Sequence, residues 1–271
     1  MLGVSERRAC RALGVARSVV RYRPTRPAAD AKLVRRLHAL SELHSRLGYR
    51  KITVKLRREG WRVNKKRVAR LWRQHGLGVP ARAPKRRRLG PQTDGSERYR
   101  ASAPHDVWAV DFLFDATSDG GVLKVLTVTD EFSKTCLALR TGRSYKAKDV
   151  IAVLENLMVV YGPPNHVRSD NGPEFVARAI QAFLAATGVQ TMFIAPGAPW
   201  QNPFAESFHA RLRDELLDQE SFQSVREAQA VLDGWRRWFN EERPHGALGD
   251  ATPIEVLNQA ASVTLAPVPT P

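Results

Sequence analysis

Three carboxylates in the C-terminal part of the chain have the type and spacing to do chemistry. Asp111 interrupts the otherwise apolar run Trp108-Ala109-Val110-Asp111-Phe112-Leu113-Phe114. A lone carboxylate buried in such a run costs several kcal/mol unless it is paired or bound to a metal. Asp170 follows the short run His166-Val167-Arg168 at a strand's C-terminal end, where open sheets collect ligands. Glu206 follows Asn202-Pro203, an N-cap and first-turn pair. Hard oxygen donors from two strands and a helix suit a pair of divalent cations. Such a pair activates a water or hydroxyl and stabilises the leaving oxygen of a phosphodiester. The competing readings are a solvated loop acid for Asp170 and a helix-surface acid for Glu206. Asp115, Asp130 and Glu131 are rival candidates, the last two read as strand-end surface acids.

Other chemistries find less support. The seven His and the two Cys, at positions 10 and 136, lack zinc spacing, and two Cys make no disulfide scaffold. No G-x-x-x-x-G-K-[ST] loop marks an ATP site. No apolar run approaches the roughly 18 residues of a membrane span, and the N-terminus has no signal-peptide core. A cytoplasmic, nucleoid-associated protein is the expectation.

The elements that must position the three acids follow from periodicity. In WAVDFLFDA, Trp108, Val110 and Phe112 face one way and Asp111 and Leu113 the other. GVLKVLTVTDEFS and TCLALR read as two more strands in an antiparallel meander. A helix is predicted over 148–160, a strand at 166–168, a helix over 174–186, a strand over 189–194 and a helix after Asn202. On that last helix Ala205, Phe208, Leu212 and Leu216 form the apolar stripe, and Glu206, His209 and Arg213 an adjacent polar one. The expected fold class is α/β: a mixed five-stranded sheet flanked by helices. Val231, Leu232, Trp235, Trp238 and Phe239 follow helical spacing and read as core.

The 271 residues are nearer two domains than one, and their charge is unevenly divided. Residues 1–100 carry 29 Lys+Arg and 6 Asp+Glu, a net of +23, whereas residues 101–271 have a net of −7. A basic part joined to a mildly acidic one points to nucleic-acid binding beside another task. Ser5 to Tyr22 reads as two short helices around Gly14, in helix-turn-helix order, with Ser5 as a cap and Arg17 and Arg21 on the second helix. Asp30 is expected to cap a helix running to about Arg46, followed by helices over 50–59 and 64–75. Asn64 is the cap of the last, from which Lys65, Lys66, Arg67, Arg70 and Arg73 project toward phosphates. PARAPKRRRLGPQTDG reads as an extended basic linker.

WAVDF, RSDNGPEF and QNPFAESFHARLRDEL, in this order, resemble the catalytic core of the DDE transposases of bacterial insertion sequences, relatives of retroviral integrases. The 35 residues between Asp170 and Glu206 match the spacing of that group. SERRACRALGVARSVVRYR and GYRKITVKLRREGWRVNKKRVARLWRQHGL resemble the N-terminal segments of the second-frame product, OrfB, and WRRWFNEERPHGALGDATP its C-terminal tail. The resemblance implies an RNase H-like core and metal-dependent cleavage and joining of DNA strands at the element's ends. It implies Asp111, Asp170 and Glu206 as ligands of two Mg2+ ions (or Mn2+), one bridging Asp111 and Asp170 and the other on Asp111 and Glu206. Asn171 and Gly172 would shape the site, and Asn171, His209 and Arg213 would lie near DNA. The implied partners are terminal inverted repeats and target DNA, further copies of the chain on DNA, and an upstream-frame product fused or associated.

The expected divisions are a helix-turn-helix-like segment over 1–25, a basic helical domain over 26–78, a linker over 79–100, a catalytic core with C-terminal helices over 101–260 and a tail over 261–271. Two other functions stay in view: a non-catalytic, transposon-derived DNA-binding regulator, and an RNase H-like structure-specific nuclease.

Overall fold

A computed structural model describes residues 4–21, 27–79, 99–194 and 202–264. Most of the expected linker, the end of the expected tail and the segment before Asn202 lie outside the described residues. The chain divides into two compact units, Met1–Pro80 and Ala81–Pro271.

The first unit is helical. Helices α1 (Glu6–Ala12) and α2 (Arg17–Val20) flank Gly14, and Cys10 on α1 is buried. Ser5 holds the N-cap position of α1, but its side chain makes no capping bond. Helix α3 spans Pro27–Leu43. It starts earlier than expected, so Asp30 lies in its first turn rather than at its cap. Leu33, Leu37 and Leu40 form its buried stripe. Helices α4 (Tyr49–Arg58) and α5 (Lys65–Gln74) bury Ile52, Leu56, Val68, Leu71 and Trp72. Asn64 caps α5, its side-chain oxygen accepting from the Lys66 N–H at 2.8 Å. Gly60, at φ +86°, makes the turn between them in a conformation that side-chain-bearing residues rarely adopt.

The second unit is a mixed sheet between helices. Strands β1 (Val107–Ala116), β2 (Val122–Asp130) and β3 (Cys136–Gly142) form the antiparallel meander. Helix α6 (Ala147–Tyr161) crosses to β4 (His166–Ser169), and α7 (Pro173–Val176) and α8 (Arg178–Ala186) to β5 (Gln190–Phe193). Both later strands run parallel in the order β3-β2-β1-β4-β5. The helix expected over 174–186 is interrupted: Ala177 adopts φ −57° and ψ 132°, an extended conformation that breaks the ladder.

The faces of β1 divide the core. Trp108, Val110 and Phe112 pack under α6 and α8 with Leu126, Val128, Val150, Leu154 and Ile180. On the other face Leu113, Leu123, Val125 and Leu139 meet helices α9 (Pro203–Leu212) and α10 (Val225–Glu241) through Phe208, Leu212, Leu232, Trp235 and Phe239. Helix α9 continues as a π-helical turn, Arg213–Leu217. The buried Arg243 holds that turn, its guanidinium donating to both carboxylate oxygens of Glu215 at 2.6 and 2.5 Å. Helix α11 (Pro253–Thr264) follows.

Asp130 and Glu131 are not surface acids. Asp130 accepts from the His105 and Ser133 N–H groups and the Ser133 hydroxyl, and Glu131 accepts from Arg168 at 2.5 Å; both acids are buried. They close the strand end against the segment before β1, where an unpaired carboxylate would be costly.

Candidate active site

Strand register brings the first two acids together. Val107, Trp108 and Ala109 pair in parallel with His166, Val167 and Arg168. Continued two steps, that register would bring Asp170 level with Asp111, and the charge of Asp170 acts on the Asp111 carboxyl. Asp111 points to the face covered by α9, with Leu113 and away from Trp108 and Phe112. Its Oδ1 accepts the Phe112 N–H at 2.8 Å. Burial, assisted by the negative charges of Asp170 and Glu206, pushes its carboxyl up to about 7, against the opposing pull of that N–H.

The turn after β4 holds Asp170. Its Oδ1 accepts the Gly172 N–H at 3.0 Å, and a Cβ on Gly172 would sit 3.0 Å from that same oxygen. A side chain at 172 would therefore crowd that oxygen, which would have to give way slightly. Asn171 donates through its side-chain amide to the Ile194 carbonyl at 2.8 Å, tying the turn to the end of β5. On the other side Glu174 pairs with the buried Lys124 of β2, whose ammonium also lies 4.0 Å from the Phe112 ring centroid.

Glu206 stands exposed in the first turn of α9. Asn202 occupies the N-cap position without a side-chain capping bond, and its buried Oδ1 has no hydrogen-bond partner among the described residues. Phe208 and Leu212 seat the helix in the core. His209, one turn after Glu206, faces inward. Its Nε2 is 2.9 Å from Thr127 Oγ1 and its Nδ1 3.8 Å from Asp111 Oδ2. Burial, with the charge of Arg213 adding to it, pushes the imidazole down to about 4. Arg213 donates to the Phe114 carbonyl at 2.7 Å.

The donors are hard oxygens around a carboxyl burdened by like charge, which is the chemistry of a divalent-cation site. The arrangement is open. Among the described residues, no three acidic, His or Cys side chains converge closely enough to hold an ion as they stand. By donor type the residues fit the cations, and the charges of Asp170 and Glu206 both act on Asp111.

The basic residues of the first unit fall into two sets. Lys65, Lys66 and Arg73 are exposed on α5. Arg67 and Arg70 instead donate to the buried Asp30, at 2.5 and 2.8 Å. Burial would raise the Asp30 carboxyl, but the bonds from Arg70 and Arg67 outweigh it and hold it below the usual range. Arg17 and Arg21 both pair with Glu6, at 3.2 and 2.7 Å.

Sequence reasoning missed Thr127, Lys124 and Glu174. Lys124 carried a signal, because it interrupts an apolar strand just as Asp111 does. Thr127 carried none, since a threonine is ordinary in a strand.

Known proteins resemble this chain in sequence and in fold. Residues 101–199 and 187–253 match two family models, each described as an integrase core domain, and residues 26–87 match an HTH-like domain. An uncharacterized 31.7 kDa protein of insertion element IS407 from Burkholderia multivorans is 37% identical over 266 residues, spanning 98% of this chain and 95% of its own. An uncharacterized 39.2 kDa protein of insertion element IS476 from Xanthomonas euvesicatoria is 36% identical, over 93% of this chain and 72% of its own. The transposase for insertion sequence element IS629 from Shigella sonnei is 27% identical, over 79% and 74%. Among solved structures, a chain of the simian T-cell lymphotropic virus intasome, in complex with PP2A regulatory subunit B56 gamma, shares the fold. It has a TM-score of 0.53 and 14% identity, over 87% of this chain and 78% of that one.

Proposed function

Because this chain belongs to the integrase-core family of insertion-element transposases, we propose that Asp111, Asp170 and Glu206 are the residues with which it performs that family's reaction. The protein is a DDE-type polynucleotidyl transferase that cleaves and joins DNA. The observation that carries the residue assignment is the state of Asp111. It is a largely buried carboxyl with one N–H bond, raised to about 7 beside two further acids.

The three acids would hold two Mg2+ ions, with Mn2+ as a substitute. Bound there, the cations would activate a water or a 3′-hydroxyl and offset charge on the scissile phosphodiester. The chain's own residues prepare this. Gly172 fixes one oxygen of Asp170, and the Phe112 N–H fixes one oxygen of Asp111. Burial and the neighbouring acids raise the Asp111 carboxyl to about 7, and a bound cation would favour its ionised form. Asn171 and the Lys124–Glu174 pair keep the Asp170 turn against the sheet.

DNA is the partner of the HTH-like region. Within it we assign phosphate contact first to Lys65, Lys66 and Arg73, which are exposed, and only secondarily to Arg67, Arg70, Arg17 and Arg21, which are engaged by acids. The substrates would be the element's terminal inverted repeats and target DNA. Copies of the chain would assemble on them, with an upstream-frame product fused or associated, in the nucleoid. Among the described residues no helix is long and apolar enough to cross a membrane.

The test is strand transfer by the purified chain on a duplex carrying the terminal repeats, with Mg2+ or Mn2+. Joined product that disappears in Glu206→Gln supports the reading. Cutting without joining would indicate a nuclease, and a gel shift without either a regulator.

A further inference from the structure

Thr127 lies directly across β1 and β2 from Asp111. Its hydroxyl has one proton, which goes to the Asp111 carbonyl oxygen at 3.0 Å. The 2.9 Å contact with His209 Nε2 must then have the imidazole donating and the hydroxyl accepting. That assigns the Nε2–H tautomer and leaves Nδ1 without a proton, facing Asp111 Oδ2 at 3.8 Å. The Asp111 carboxylate is thus bounded on both sides: the Phe112 N–H holds Oδ1, and the imidazole edge borders Oδ2.

His209 also lies three residues after Glu206 on α9, so the two side chains are neighbours on one helix face. A bond from His209 to the sheet at Thr127 therefore sets the height of Glu206 above Asp111. Arg213, one turn further, donates to the Phe114 carbonyl of β1 and steadies the same helix at a second point. Apolar packing by Phe208 and Leu212 holds α9 on the sheet but fixes its axial position less sharply than a directional bond does.

We propose that His209 is a positioning residue: through Thr127 it locks α9 onto the Asp111 strand and so sets the separation of the carboxylates that take up the divalent cations. This rests on the reading of Asp111, Asp170 and Glu206 as the cation ligands. Partners of this kind, which orient ligands without touching the ion, commonly alter metal affinity or activity by about 10- to 100-fold when removed.

The experiment follows the melting temperature of the full chain as Mg2+ is titrated, beside strand-transfer kinetics on a DNA end. Thr127→Val removes only the hydroxyl and keeps the shape. His209→Phe removes both ring nitrogens, and His209→Gln restores an N–H donor at about the reach of Nε2. Thr127→Val and His209→Phe are expected to need roughly tenfold more Mg2+ for half-maximal stabilisation. Their kcat should fall while KM for the DNA end stays put. His209→Gln should recover most of the Mg2+ response. A wild-type Mg2+ midpoint in Thr127→Val overturns the proposal, as does a His209→Gln protein as impaired as His209→Phe. If His209→Phe does not fold, Thr127→Val decides alone. Asp111→Asn separates the two levels. If it abolishes the Mg2+ response while Thr127→Val stays wild type, only the positioning role fails; if it keeps the full response, the cation site fails and this proposal with it.

Discussion

His209 Nδ1 stands 3.8 Å from Asp111 Oδ2, and burial drives the two groups toward their neutral forms from opposite directions. Asp111 is raised to about 7, so the folded state binds more protons than the unfolded one above the ordinary carboxylate range. Its contribution to stability is full at about pH 4 and is lost as pH rises through 7. His209 is lowered to about 4, so its contribution is full above about pH 6.5 and is lost as pH falls through 4. In the metal-free protein the two slopes oppose each other. Relative to wild type, Asp111→Asn should therefore gain stability with rising pH. His209→Gln should lose it. Each swing should be on the order of 1–3 kcal/mol. Urea midpoints in EDTA between pH 4.5 and 7.5 measure this, and parallel curves for all three proteins would refute it.

Glu206→Gln and Asp111→Asn keep side-chain shape and remove charge. Each should lower strand-transfer turnover by ~10³-fold or more while leaving DNA-end binding in place. The double variant should be little worse than either single one, since the acids act as a unit. Asp115→Asn is the control, because that side chain, four residues further along β1, accepts the N–H of its neighbour Ala116. A Glu206→Gln enzyme with near-wild-type turnover would remove Glu206 from the site.

Asp130→Asn tests a structural rather than a chemical role. Its oxygens serve two N–H groups and a hydroxyl in a buried setting. Loss of a charged acceptor there should cost about 1–3 kcal/mol of stability. Turnover of the folded fraction should stay near wild type. Inactivity of a fully stable Asp130→Asn protein would instead make Asp130 a ligand.

Asp30→Asn should release Arg67 and Arg70 from their carboxylate. The first unit should lose stability, while the positive charge of the two guanidinium groups is no longer offset by the carboxylate. The slope of log affinity against log salt should steepen by about 0.9 for each phosphate newly neutralised. An unchanged slope would mean that both arginines stay out of reach of DNA.

Trp235 is buried, stacked on Phe239 at 4.8 Å between ring centroids and edge-on to Phe208 at 5.7 Å. Trp235→Ala should cost about 3–5 kcal/mol, and through Phe208 it should loosen the helix that carries Glu206. Unchanged melting with lost DNA binding would make it a base-stacking residue instead.

Much of this was legible in sequence because it is periodic. Alternation along Val107–Ala116 assigned Asp111 to the face opposite Trp108 and Phe112, and the structure agrees. The meander, the order of strands and helices, the Asn64 cap and the burial of Trp235 and Phe239 follow from spacing alone, since a side chain's direction is set by the local backbone repeat. The motifs around Asp111, Asp170 and Glu206 also marked the family.

What the tertiary structure alone decided is pairing between segments distant in sequence. Nothing near Asp130 and Glu131 announced Arg168 or His105, so both acids read as surface groups when they are buried. The ion pairs of Arg67 and Arg70 were not legible either, because their partner, Asp30, lies 37 and 40 residues away. His209 read as one residue of a polar helix stripe, and its contact with Thr127, 82 residues earlier, could not be read from that stripe. A helical or strand repeat fixes where a side chain leaves the backbone, whereas the charge or hydroxyl that meets it depends on how separate elements close on one another.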